Sequence, residues 1–288
     1  MQEGYAALRR GAAWLDVAAR GRILARGRDR ARLLHNITTG EVKKMAPGEG
    51  CYAFLLSPRG RIQADLLLFC FEDRFLMDVE PELREKAIQH IRRYIVADQV
   101  ELEDASARTT EIGLEGPGAA AVLAALGAPA PESDYSHVAW KDGAIARASL
   151  TGQPGFRIFR PADAAGDLIR DLESAEATPA SAEDARVVRI ENGKPRYGED
   201  IRDTSLPQET GQMHAVSFTK GCYVGQEIVE RIRARGHVNR KLERIELAGA
   251  DPPPPGTVIE IGGKQAEITS SAYSPDGGRV VALAYVRE

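Results

Sequence analysis

Cysteine is scarce: Cys51, Cys70 and Cys222 are the three thiols in 288 residues. Their odd number and the lack of Cys-x-x-Cys spacing exclude a disulfide framework and a structural zinc site. No apolar run reaches the roughly 18 residues that a membrane span needs. The N-terminus lacks the apolar core of a secretory signal. Its arginines and alanines faintly resemble an organelle presequence, but the chain is read as cytoplasmic. No dinucleotide-type glycine fingerprint follows any predicted strand. His-Glu-x-x-His and a Ser–His–Asp order are missing, so metallohydrolase and serine-hydrolase chemistry have no support. No metal site is predicted.

The apolar fraction of 43% and the charged fraction of 28% are those of a globular protein. A net charge of −4 gives no bulk attraction to nucleic acid. Direct nucleic-acid binding and membrane binding are therefore disfavoured. Arginine is nonetheless dense over residues 9–32, and Lys/Arg are dense over 220–244. Such clusters fit either a solvated helix face or the mouth of a site for an anionic ligand.

The chain length suggests two or three domains. Cys51–Leu56 and Ile62–Phe71 flank Pro58-Arg59-Gly60 and predict a hairpin. A strand over Phe75–Val79 follows. A helix then opens at Pro81 and runs to about Asp98, with Leu83, Ala87, Ile88, Ile91 and Ile95 on one face. Further strands and short helices fill residues 106–190. After Lys241, short strands between Pro252-Pro253-Pro254-Pro255-Gly256, Gly262-Gly263 and Asp276-Gly277-Gly278 predict a small barrel. Hairpins outnumber strand–helix–strand crossovers, so the class is α+β. The expected units are 1–105, 106–240 and 241–288, with interleaving of the first two left open.

Residues 220–227 read Lys-Gly-Cys-Tyr-Val-Gly-Gln-Glu. Two glycines bracket Cys222-Tyr223-Val224 and permit tight turns. A helix predicted over Val224–Ile232 places Lys220 and Cys222 before its N-terminus, where a thiol pKa can fall. Lys220 and Cys222 are thus the candidate chemical groups. Glu191, at the end of an apolar helical stretch, either faces water or pairs with adjacent ring N–H groups, as carboxylates do with pterins. Tyr197 and Tyr223 either pack or stack on such a ring. Arg231 either pairs with Glu227 four residues earlier or grips an anionic tail. Asn36 and Thr39 belong to a polar cluster with Thr38 and Glu41.

The octapeptide resembles the signature of the YgfZ-type folate-binding proteins, relatives of the glycine-cleavage aminomethyltransferase. Residues 33–69, including Ser57-Pro58-Arg59-Gly60-Arg61-Ile62-Gln63-Ala64-Asp65, are similar to that family's N-terminal segment. Arg189-Ile190-Glu191-Asn192-Gly193 is similar to its R-x-E-x-G stretch, and Pro207-Gln208-Glu209 follows it. The resemblance covers almost the whole chain. It implies an aminomethyltransferase-like fold of three domains around a cleft for tetrahydrofolate, with Glu191 at the pterin edge. Lys220, Cys222 and Tyr223 would line the same cleft, and Arg231 would support the loop or the glutamate tail. It also implies a tetrahydrofolate-binding role in iron–sulfur cluster assembly or repair, with iron–sulfur client proteins as partners and an effect on tRNA modification. The alternative is a folate-dependent aminomethyl or one-carbon transferase. The family often has Asp where this chain has Glu41. The aspartate that the glycine-cleavage relatives use finds no counterpart in Asp78–Arg84.

Overall fold

The computed structural model describes residues 3–288. Helix α1 (Glu3–Arg10) leads into β1 (Ala13–Asp16), β2 (Gly21–Arg26) and α2 (Arg30–Ile37). The predicted hairpin is β3 (Gly50–Leu56) and β4 (Ile62–Cys70), followed by β5 (Arg74–Val79), α3 (Arg84–Arg92) and β6 (Glu101–Asp104). Then come β7 (Thr109–Glu115), α4 (Ala119–Ala125), β8 (His137–Trp140), β9 (Gly143–Ala146) and β10 (Gly155–Pro161). Helix α5 (Ala165–Ser174), β11 (Thr178–Pro179), α6 (Ala182–Glu191) and α7 (Gln226–Arg235) precede β12 (Arg240–Leu247). The chain closes with β13 (Val258–Ile261), β14 (Lys264–Ser274) and β15 (Arg279–Arg287).

These strands form three sheets. One runs β3-β4-β5-β2-β6, a second β11-β1-β7-β10-β9-β8, and the third β12-β15-β14-β13. β1 pairs antiparallel with β7, Trp14 opposite Leu114, so the N-terminal segment crosses the expected boundary at residue 105. The third sheet curls into an open half-barrel, since its edge strands β12 and β13 do not pair with each other.

Two further differences have simple causes. The helix after Pro81 begins as a 3-10 turn and ends at Arg92, before Asp98. Leu83, Ala87, Ile88 and Ile91 are buried, whereas Val96 is 90% exposed, so no core holds the last turn. The arginine-rich N-terminus is a packed helix: Tyr5 and Leu8 are buried against Val188 of α6. No described helix is long and apolar enough to cross a membrane.

The octapeptide is largely a fastening device. Gly225 precedes α7 with φ of 84°, and a Cβ there would sit 2.7 Å from the Ser57 carbonyl oxygen. Only glycine combines that left-handed backbone with so close an approach to the β3–β4 turn. Gly225→Ala should cost about 1–3 kcal/mol, read from urea unfolding. An unchanged midpoint would show that the loop can shift freely. The Lys220 ammonium donates to the carbonyls of His35, Thr38 (2.8 Å) and Gly40 (2.6 Å), a cationic cap on the C-terminal end of α2.

Candidate functional site

A cavity of about 640 Å³ opens where the first two sheets meet α6. β4 contributes Asp65, Leu66 and Leu67, β1 contributes Trp14 and Leu15, and β5 contributes Asp78. α6 turns Ala182, Ala185, Arg186 and Arg189 toward it, a spacing that follows the helical repeat.

The same phase carries Glu191 away. Two residues past Arg189 lies about 200° further around the helix. Tyr5 Oη donates to Glu191 Oε1 at 2.7 Å, and Arg9 Nε lies 3.6 Å from Oε2. The carboxylate therefore ties α6 to α1, and it does not line the cavity. Glu191, expected from the sequence at a pterin edge, thus stands apart from this cavity.

The cavity wall is dense in matched charges. Arg20 donates to Asp78 Oδ1 at 2.6 Å and also to Glu80. Arg157 donates to Glu111 Oε1 at 2.6 Å, with Asp78 Oδ2 at 3.9 Å. Burial, then the Asp78 charge, pushes Glu111 up to about 7. Arg186 and Arg189 both reach Glu199, at 3.1 and 2.7 Å. Arg196 pairs with Glu80 and Glu82. Arg189 also bonds Asp200, whose other oxygen accepts from Thr269 and Ser270 of β14, so α6 is braced from the half-barrel.

Asp65 differs from these. Tyr52 Oη donates to its Oδ2 at 2.7 Å, while its buried Oδ1 has no hydrogen-bond partner. Burial foremost, then the charge of Glu80, pushes its carboxyl up to about 6. A carboxyl poised there can take and return protons near neutrality. Beside it, His214 stacks on Tyr52 with centroids 5.5 Å apart, and on Tyr135 at 6.5 Å. Tyr52 and His214 also wall a second cavity of about 530 Å³ that includes Glu41 and Cys51.

The other sequence candidates lie elsewhere. Cys222 is exposed and stands four residues before α7, and Lys220 is engaged with three carbonyls, so the expected activating pair is not formed. Burial lowers Lys220 to about 8. Tyr223 is buried in the core under α7, its ring 5.2 Å from the Lys220 ammonium. Tyr197 is buried as well and accepts from Lys86 at 3.0 Å. Arg231 makes the helical ion pair with Glu227 on an exposed face. Asn36 is exposed, and its carbonyl accepts from the Val224 amide. Thr39 is buried; its hydroxyl donates to Ala215 and accepts from the Phe54 amide at 2.8 Å. None of Lys220, Cys222, Tyr197, Tyr223, Arg231, Asn36 or Thr39 lines the 640 Å³ cavity. Lys220, Cys222, Tyr223 and Arg231, expected around one cleft with Glu191, are thus not brought together at this cavity. Cys222→Ser should change stability by less than about 0.5 kcal/mol, the range of an unremarkable surface change. A larger drop in the unfolding midpoint would reveal an unrecognised role for the thiol.

Asp65, Tyr52, His214 and Lys194 escaped the sequence reading. Asp65 had a signal: it is the one charged residue of the strand Ile62–Cys70, and its neighbours Ala64 and Leu66 are buried.

Residues 1–220 match the GCVT N-terminal domain. The chain belongs to the GCVT family. Among curated GCVT relatives, the aminomethyltransferase of Rubrobacter xylanophilus is 32% identical, spanning 98% of this chain and 78% of its own length. An aminomethyltransferase of Thermus thermophilus is 30% identical over 99% of this chain and 82% of its own. The solved glycine cleavage system aminomethyltransferase T of Bartonella henselae superposes with a TM-score of 0.89 at 23% identity. That alignment covers 99% of this chain and 81% of the other, and it establishes the GCVT-type aminomethyltransferase fold. These relatives are named for aminomethyl transfer, the alternative reading of the sequence, and not for iron–sulfur assembly.

Proposed function

We propose that this chain is a tetrahydrofolate-dependent aminomethyl transferase, and that its 640 Å³ cavity is the reaction chamber. The observation that carries the proposal is Asp65: a carboxyl near pKa 6, inside the cavity, with one oxygen held by Tyr52 and the other without a partner. Family membership and the relatives' names support the reaction class. Tetrahydrofolate, when bound, supplies the nitrogens that accept the one-carbon unit. The residues fit such a group: aromatic and apolar walls at Trp14, Leu66 and Tyr135 suit a flat heterocycle. Transfer from an amine donor moves protons between nitrogens, and the Asp65 carboxyl is the group that takes and returns them. Tyr52 fixes the carboxyl plane, and His214 fixes Tyr52 by stacking. The buried ion pairs of Arg20 and Arg157 keep the wall rigid, so that little reorganisation accompanies reaction.

The test is an assay with tetrahydrofolate and an S-aminomethyl dihydrolipoyl donor, following ammonia release and methylenetetrahydrofolate together. Equimolar formation of both is expected. The rival proposal is folate binding in iron–sulfur cluster maintenance, as in YgfZ-type proteins. It is supported by the octapeptide and by the exposed Cys222 within it. It expects tetrahydrofolate to bind without turnover.

A further inference from the structure

The five arginines that line the cavity are each matched to a carboxylate, as described above. Lys194 is not. It lines the same cavity, just beyond the end of α6, and its backbone amide is fixed by the Arg189 carbonyl at 2.8 Å. Among the described residues, no hydrogen bond or ion pair reaches its ammonium.

The nearby charges do not fill this role. Glu115 favours the ammonium electrostatically, but its oxygens already accept from Ser149, Leu150 and Thr151. Asp65 also favours it, yet is held by Tyr52 and stands beyond ion-pair distance. Arg157 and Arg20 oppose it, and burial is the largest influence, lowering the Lys194 pKa from its ordinary value. A half-buried cation that meets no counter-charge on the cavity wall is left to whatever enters the cavity. In a cavity open to ligands, the natural counter-charge is one that a ligand brings. A compact ammonium with three donors suits a carboxylate well.

We infer that Lys194 is the cavity's receptor for a carboxylate carried by the small molecule bound there. Two sources share that chemistry: the glutamate tail of a folate, and a carboxylate on a separate one-carbon partner. The choice between these sources rests on the folate reading above; the anion-receptor role does not.

The experiment is calorimetric titration of the full chain and of Lys194→Met and Lys194→Arg. The probes are tetrahydrofolate, 6-methyltetrahydropterin (which lacks the tail) and glycine. Thermal unfolding of each variant controls for folding. If the tail is the source, Lys194→Met weakens tetrahydrofolate about 10- to 100-fold, leaves the tail-less pterin unchanged, and Lys194→Arg restores binding. If the partner is the source, tetrahydrofolate is unaffected and glycine binding is lost in the Met variant and retained in the Arg variant. Binding of glycine through Lys194 with no binding of either pterin would sustain the receptor and remove the folate reading. Equal affinities of Lys194→Met and the unaltered chain for every probe, including no measurable binding of any, overturn the inference.

Discussion

Asp65→Asn should keep tetrahydrofolate bound yet lower kcat for aminomethyl transfer by about 10²- to 10⁴-fold, the usual worth of a positioned acid–base group. The amide preserves the shape of the carboxyl and can still accept from Tyr52, so the cavity stays intact. It cannot take a proton at Oδ1. In the unaltered chain, kcat should rise with pH through about 6, as Asp65 ionises. That limb should vanish in the variant. The folded-state stability carries the opposite sign. The carboxyl is more readily protonated folded than unfolded, so its stabilising contribution is full at low pH and is lost as pH rises toward and through about 6. Activity and stability would thus diverge over one pH window, a pattern that steady-state kinetics and urea unfolding can record side by side. Transfer within about threefold of normal in Asp65→Asn would exclude the carboxyl from the chemistry.

Arg157→Ala should remove about 1.5–3 kcal/mol of stability, because Glu111 loses its one direct charged hydrogen bond while Arg20 and Arg22 stay within ion-pair distance of it. Glu111 and Asp78 are both fully buried, and each has one oxygen without a hydrogen-bond partner. Arg157, itself 2% exposed, holds Glu111 at 2.6 Å, and shares the neutralising of the pair with Arg20 on Asp78 and Arg22 at 3.6 Å from Glu111. Its guanidinium lowers the Glu111 pKa, so its loss drives that carboxyl further upward. Glu111 is raised relative to the unfolded chain. The stabilisation from its protonated form is therefore complete below its unfolded pKa and lost as pH rises through about 7. The penalty of Arg157→Ala should accordingly be smallest in acid and largest above neutrality. Urea unfolding at about pH 5 and about pH 8, on either side of that titration, measures this. Equal penalties at both would show that Arg157 does not govern the Glu111 titration.

The sequence disclosed those features that depend on local pattern. Pro58-Arg59-Gly60 between two apolar runs marked the β3–β4 hairpin, and the breakers after Lys241 marked the final strands. Features set by phase or by distant contacts were hidden. Glu191 was visible as a carboxylate at a helix end. Which side of α6 it faced depended on α1, a helix that the sequence reading did not anticipate. The octapeptide looked chemical because it holds a lysine and a thiol. Its lysine found carbonyls 180 to 185 residues away, which no local spacing announces. Asp65 sat in plain view in a strand, with its Tyr52 partner across the same β3–β4 hairpin, but its place in a cavity wall emerges only when the two sheets close on each other.

The brace running from Arg189 through Asp200 to the hydroxyls of Thr269 and Ser270 has an architectural consequence. The terminal strands are not a detachable appendage, since the helix that shapes the chamber hangs from them. Without them Asp200 would lose both hydroxyl donors on Oδ1 while Arg189 kept Oδ2 and Glu199, so one wall of the chamber owes part of its stiffness to the last strands of the chain.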